Sequence, residues 1–253
     1  MKITSFGGSD AGKKRTNNED VYLLNDDLGL YAVADGVGGN EGGEVASRMA
    51  VEMLASSMRD LLGEKDRTPP AGLVRAADPA LSALQRAIFL SNRVIREARA
   101  QTPALAGMGT TLTTLLLKDK HAFLAHIGDS RAYLLRSGEF KQLTIDHSLV
   151  GEQVHQGVIT REQARTSPYR HVITRALGID EEVRIDLAKH PLHRGDRFLL
   201  CTDGLTEMVE DEEIAGMLSS LPPREAVQKL LVAANDRGGV DNITVVVVEL
   251  AEI

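Results

Sequence analysis

Short apolar runs dominate both ends of the chain, and between them apolar residues recur at helical spacing. "KITSF", "DVYLLN" and "LGLYAVAD" read as strands, with residues 26–29 as the turn between the last two. In "GGEVASRMAVEMLASSMRDLLG" Val45, Met49, Leu54, Met58, Leu61 and their neighbours repeat at the helical period, which predicts one amphipathic helix. "EKDRTPPAGLVRA" (64–76) is a polar, proline-bearing connection. Asp78–Pro79 then opens a second helix, with a capping carboxylate followed by proline, and Leu81, Leu84, Ile88, Ile95 and Ala98 line one of its faces.

After "GMGTT" the pattern changes to strands: "LTTLLLK", "HAFLAHIG", "RAYLLR" and "EFKQL", the last pair joined through Ser137–Gly138. Residues 144–181 are polar and irregular, with one short helix whose Thr160 and Gln163 fit a capping box. "VRIDLAKH" and "DRFLLCT" are strands flanking the turn "PLHRG". Helices follow at about 210–218 and 223–235, and "NITVVVVEL" is the final strand. Helices grouped between blocks of hairpin-linked strands indicate an α+β fold rather than alternating βαβ units. The reading is one domain over 1–253, with 144–181 as an insertion-like segment whose length points to function or mobility.

Composition narrows the function. The 253 residues are 43% hydrophobic and 26% charged, enough to build a substantial core. A net charge of −7 is the wrong sign for nonspecific nucleic-acid binding. The opening "MKITSFGGSDAG" lacks the apolar core of a secretory signal, and no apolar run approaches the ~18 residues of a membrane span. A lone cysteine makes no internal disulfide, and Cys201 in "RFLLC" reads as a buried, inert thiol. A cytoplasmic monomer is expected.

"GGSDAGKK" imitates a phosphate-binding G-x-x-x-x-G-K-[ST] loop in Gly7, Gly12 and Lys13. Lys14 stands where the metal-binding hydroxyl belongs, and a strand rather than a helix follows. The informative residues are instead acidic. Asp35, Asp129, Asp203 and Asp241 each lie at a strand end beside glycine or another small residue, with Glu19 and Asp20 nearby in "NNED". Any one of them would ordinarily cap a turn. Gathered at one rim of a sheet, they would repel unless cations lay among them. The seven histidines form no H-E-x-x-H and no second cysteine exists, so zinc with N/S ligands is unfavoured. Carboxylates, carbonyls and water suit Mg²⁺ or Mn²⁺.

"RTNNED", "VADGVGG", "GMGTT", "HIGDSRAY", "CTDGLTE" and "VDNIT", in this order, resemble the metal-dependent serine/threonine protein phosphatases of the type 2C class, most of all the bacterial stand-alone members. The resemblance implies two antiparallel β-sheets packed as a sandwich, flanked by helix pairs, with a binuclear metal centre in a cleft at one end. It implies that Asp35 and the carbonyl of Gly36 bind the metals, that Asp203 and Asp241 complete one shell, and that Glu19 and Asp20 hold waters of the other. Asp129 with Asp203 would bind a weaker third ion, and Arg15 would grip the substrate phosphate. Residues 144–181 would form a flap beside the cleft. The implied reaction is hydrolysis of phosphoserine and phosphothreonine by in-line attack of a hydroxide bridging two Mn²⁺ or Mg²⁺ ions. The implied partners are phosphorylated proteins, a serine/threonine kinase and its substrates.

Three departures from the family pattern stand out. Val37 occupies the place of a histidine proposed as general acid in some relatives, which leaves that role to a metal-bound water. Asn40 stands where many bacterial members have histidine, and Glu207 where aspartate is common. His126, inside a strand, reads as a packed core residue. The alternative is an inactive phosphoprotein-binding pseudophosphatase. Such proteins usually lose a metal aspartate, and none of Asp35, Asp203 or Asp241 is missing.

Overall fold

A computed structural model describes residues 1–38, 42–63, 76 and 78–252. The connection expected at 64–76 falls almost wholly outside the described residues, and so does Asn40. The described strands are β1 (Lys2–Asp10), β2 (Asp20–Asn25), β3 (Leu30–Val37), β4 (Gly109–Thr110), β5 (Leu112–Lys118), β6 (His121–Ile127), β7 (Arg131–Arg136), β8 (Glu139–Gln142), β9 (Asp186–Pro191), β10 (Arg197–Cys201) and β11 (Ile243–Glu252). The described helices are α1 (Gly42–Gly63), α2 (Pro79–Gln101), α3 (Leu149–His155), α4 (Arg161–Thr166), α5 (Asp203–Thr206), α6 (Asp211–Ser220) and α7 (Pro223–Asp236).

All the pairings among the described strands are antiparallel. One sheet runs β1-β11-β10-β7-β8; the other runs β2-β3-β5-β6-β9, with β4 paired to β3. Strand alternation builds three apolar layers. In β3, Leu30, Ala32 and Ala34 pack outward on α1 and α2, whereas Tyr31 and Val33 point inward to the other sheet. In β11, Val246 and Val248 face inward while Val245 and Val247 pack outward on α6 and α7. Burial on both faces explains why these strands read as unbroken apolar runs such as "VVVV". The expected α+β sandwich with outer helix pairs is the fold observed.

Several boundaries differ from the expectation. β1 runs on through Gly7–Gly8 to Asp10 because it pairs with β11 over its whole length. The two glycines there make room for neighbours: a Cβ on Gly7 would lie 2.7 Å from the Tyr22 ring, and one on Gly8 2.8 Å from Leu231. Strand pairing in "VRIDLAKH" begins only at Asp186, and β11 begins two residues after Asp241. The 144–181 segment holds two helices, α3 and α4, where one was expected. The Thr160–Gln163 capping box is present at the second. Asp203 opens the four-residue α5, too short to show a period, so the residue reads from sequence as a plain strand end.

Topology determines where the carboxylates meet. β3 and β6 are each antiparallel to β5, so their C-terminal ends share one rim. β10 runs antiparallel to β11, which brings the end of β10 beside the start of β11. The expected strand-end aspartates follow from those four positions.

Candidate metal centre

At that rim lies a cavity of about 1190 Å³, lined among others by Arg15, Glu19, Asp35, Gly36, Asp129, Asp203, Glu207 and Asp241. Asp20 does not line it. It sits just beneath, as the cross-strand partner of Asp35, two like-charged residues side by side in β2 and β3.

The main chain that carries Asp35 is clamped. Thr111 Oγ1 accepts the Asp35 N–H at 2.9 Å, and the Asp35 carbonyl accepts from Thr111 N and Thr110 Oγ1, both at 2.9 Å. This is the work of "GMGTT". Gly36 follows in a space that admits no side chain: a Cβ there would lie 2.2 Å from the Gly43 carbonyl. One amide ties the "RTNNED" loop at several points. Asn242 Oδ1 accepts from Glu19 N at 2.8 Å, and its Nδ2 donates to the carbonyls of Ala11 and Asn17 at 3.0 and 2.9 Å. "VDNIT" thereby places Arg15 and Glu19 beside Asp241. Arg15 Nη2 donates to Asp241 Oδ2 at 2.7 Å, so the guanidinium already faces the cluster.

The same contacts dispose of the phosphate-loop imitation. Lys13 N and Lys14 N both donate to the Gly239 carbonyl, at 2.7 and 3.2 Å, so those amides are not free to hold an anion. Lys13 Nζ lies 3.8 Å from Asp236, and Lys13 is not among the residues lining the cavity.

Electrostatically the cluster is frustrated. Burial, then Asp20, Asp203, Asp129 and Asp241, pushes the Asp35 carboxyl well above the usual carboxylate range. Burial and Asp203 do the same to Asp129. Burial, Glu207 and Asp241 raise Asp203 to about 6, and burial raises Asp20 to about 7 against hydrogen bonds from Thr244 and Thr202. Asp20 Oδ2 accepts from Thr202 Oγ1 at 2.8 Å, yet Asp20 Oδ1 and Asp203 Oδ1 are buried with no protein partner. Orphaned carboxylate oxygens in a like-charged cluster fit hard divalent cations.

Two neighbours had no signal in the sequence. His171, from the 144–181 segment, places Nδ1 3.1 Å from Glu207 Oε1, and donor atoms of His171, Asp203 and Glu207 lie within 4.8 Å of one another. Glu207 therefore does reach the side of Asp203 despite its longer chain. Arg131, in "HIGDSRAY", is forked onto Asp146 at 2.7–3.0 Å and forms part of the cavity wall. Cys201 is buried and its thiol pushed up by that burial, so it is no nucleophile. His126 is buried in β6, bonded to Thr113 and the Ile145 carbonyl, as the strand pattern implied.

The sequence model described as protein phosphatase 2C matches residues 8–240. The chain belongs to the protein phosphatase 2C family. It is 40% identical to the serine/threonine protein phosphatase PstP of Mycobacterium tuberculosis over 244 residues, which is 96% of this chain and 44% of PstP. The chain thus spans less than half of that relative. It is 36% identical to the protein phosphatase PhpP of Streptococcus pneumoniae over 248 residues, 96% of each. The crystal structure of the PstP catalytic domain in complex with two manganese ions superposes with a TM-score of 0.84 at 38% identity, covering 99% of each chain. The two-sheet fold is thus the one these phosphatase structures share.

Proposed function

We propose that the chain hydrolyses phosphoserine and phosphothreonine in proteins, using a divalent metal pair held at the rim cavity. The observation that carries this reading is the convergence of Asp35, Asp129, Asp203 and Asp241 on one cavity, with two buried carboxylate oxygens, Asp20 Oδ1 and Asp203 Oδ1, left without a protein partner. Asp35, the Gly36 carbonyl, Asp203 and Asp241 would hold two Mn²⁺ or Mg²⁺ ions, with Glu19 and Asp20 behind them through water. Asp129 and Asp203 would hold a weaker third, which Glu207 would assist. When bound, such a pair neutralises phosphoryl oxygens and lowers the pKa of water for attack on phosphorus.

The chain's own residues bind and orient. Arg15, half-exposed at the rim, can turn from Asp241 to give a phosphoryl group two charge-assisted hydrogen bonds. Thr110, Thr111 and Asn242 keep Asp35 and Glu19 from moving when charge arrives. The 144–181 segment would act as a flap over the protein part of the substrate. Its Arg161 and His171 are paired to Asp211 and Glu207, just beyond Asp203. The reaction that must supply the substrate is a serine/threonine kinase's, and cytoplasmic location fits that role.

The test is turnover on matched phosphoserine, phosphothreonine and phosphotyrosine peptides with Mn²⁺. Asp35→Asn and Asp203→Asn should each cost orders of magnitude on the first two. Undiminished turnover in both variants would overturn the assignment.

A further inference from the structure

His147 is 1% exposed and hydrogen-bonds to none of Asp35, Asp129, Asp203 or Asp241, yet it bonds both sides of the residue that precedes Asp129. Gly128 N donates to His147 Nδ1 at 3.1 Å, and His147 N donates to the Gly128 carbonyl at 2.7 Å. A backbone N–H only donates, so Nδ1 must carry the lone pair and Nε2 the proton. Nε2 then donates to Asp186 Oδ2 at 3.1 Å. Arg175 Nη1 donates to the other oxygen of Asp186 at 3.1 Å and lies 3.0 Å from Nε2, a cation that disfavours a second proton on the ring.

The turn so held needs holding. Gly128 has φ +109°, and a Cβ there would lie 2.4 Å from Thr111, the residue that clamps Asp35. The His147 carbonyl in turn accepts from Thr174 N at 2.8 Å. One residue therefore joins the Asp129 turn, the entry of the 144–181 segment, its exit, and Asp186 of β9.

We propose that His147 is a positioning residue: through Nδ1 it fixes the Gly128 peptide and so aims Asp129 into the cavity. Its effect on metal binding rests on the reading of Asp129 as a ligand; its hold on Gly128 does not.

Two amide variants separate the two ring nitrogens. In His147→Asn the side-chain oxygen replaces Nδ1 and the donor to Asp186 is lost. In His147→Gln the amide nitrogen replaces Nε2 and nothing accepts from Gly128. Asp186→Asn, at a half-exposed carboxylate, perturbs only the Nε2 side. The readouts are amide hydrogen exchange of the metal-free protein at Gly128 and calorimetric Mn²⁺ binding at the weakest site.

His147→Gln should speed Gly128 exchange and weaken that site, each by about tenfold, the scale of one buried hydrogen bond. His147→Asn and Asp186→Asn should leave both near wild type. Wild-type exchange in the Gln variant would overturn the proposal. So would Gly128 exchange about tenfold faster than wild type in the Asn or Asp186→Asn protein, which keeps the test decisive if the Gln variant does not fold. Asp129→Ala separates the two readings. If it leaves Mn²⁺ binding unaltered, the ligand assignment fails and Gly128 exchange alone decides the role of His147. If it abolishes the weak site while His147→Gln leaves that site intact, the aiming of Asp129 is refuted.

Discussion

Arg15 and Lys13 lie two residues apart in one loop and should behave very differently. Arg15 projects to the carboxylate rim, whereas Lys13 makes a long, exposed contact with Asp236 away from the cavity. Arg15→Ala should therefore lower kcat/KM on a phosphopeptide by roughly 10- to 150-fold, with Arg15→Lys recovering only part because an ammonium cannot fork onto phosphate. Lys13→Ala should be nearly silent. Steady-state kinetics on one phosphopeptide decides between them, and a crippled Lys13 variant beside a normal Arg15 variant would restore the nucleotide-loop reading. At this scale the sequence was informative wherever a residue type carries its chemistry with it. The aspartates and the glycine after Asp35 could be singled out from their own neighbours, and Arg15 through the resemblance of "RTNNED" to the family motif. His171, Arg131 and His147 could not, because each acquires its role from a partner brought in by tertiary packing: Glu207, Asp146 and Gly128 respectively.

Among the elements, legibility followed length and period. Helices α1 and α2 present uninterrupted apolar stripes, and β10 and β11 are buried on both faces, so their patterns are strong. α5 spans one turn, and α3 buries only Val150, so neither writes a period into the sequence. The same weakness makes the 144–181 segment depend on pins at its two ends. At the exit, Asn92 of α2, itself buried, accepts from Gly178 N at 2.6 Å and donates to the Asp180 carbonyl at 3.0 Å. Asn92→Ala leaves these groups unpaired and should cost about 1–3 kcal/mol in urea unfolding. It should also speed hydrogen exchange across 174–181 while sparing 149–155. A change of midpoint too small to measure would mean that Asn92 is not a pin.

For the molecule as a whole, the acidic rim couples stability to pH and metal. Asp20 and Asp203, raised to about 7 and about 6 from an ordinary 3.8, keep protons in the folded protein that the unfolded chain has already lost. Between about pH 4 and 7 the folded state binds more protons, so stability of chelator-stripped protein falls as pH rises through that window. Melting curves should show Tm declining from pH 5 to pH 7.5, at about 2–4 °C per kcal/mol in a chain of this length. Saturating Mn²⁺ should raise Tm more at pH 7.5 than at pH 5, because at the lower pH it competes with protons. A metal-free Tm that rises over this range would refute the buried-carboxylate account. The central claim, that this cluster exists to hold catalytic divalent cations, meets its most direct test in the metal dependence of phosphopeptide hydrolysis. Protein stripped with excess EDTA and then titrated with Mn²⁺ should go from no turnover to full turnover, with Asp35→Asn inert throughout. Full phosphate release in excess EDTA, or an Asp35→Asn protein as active as wild type, would contradict it.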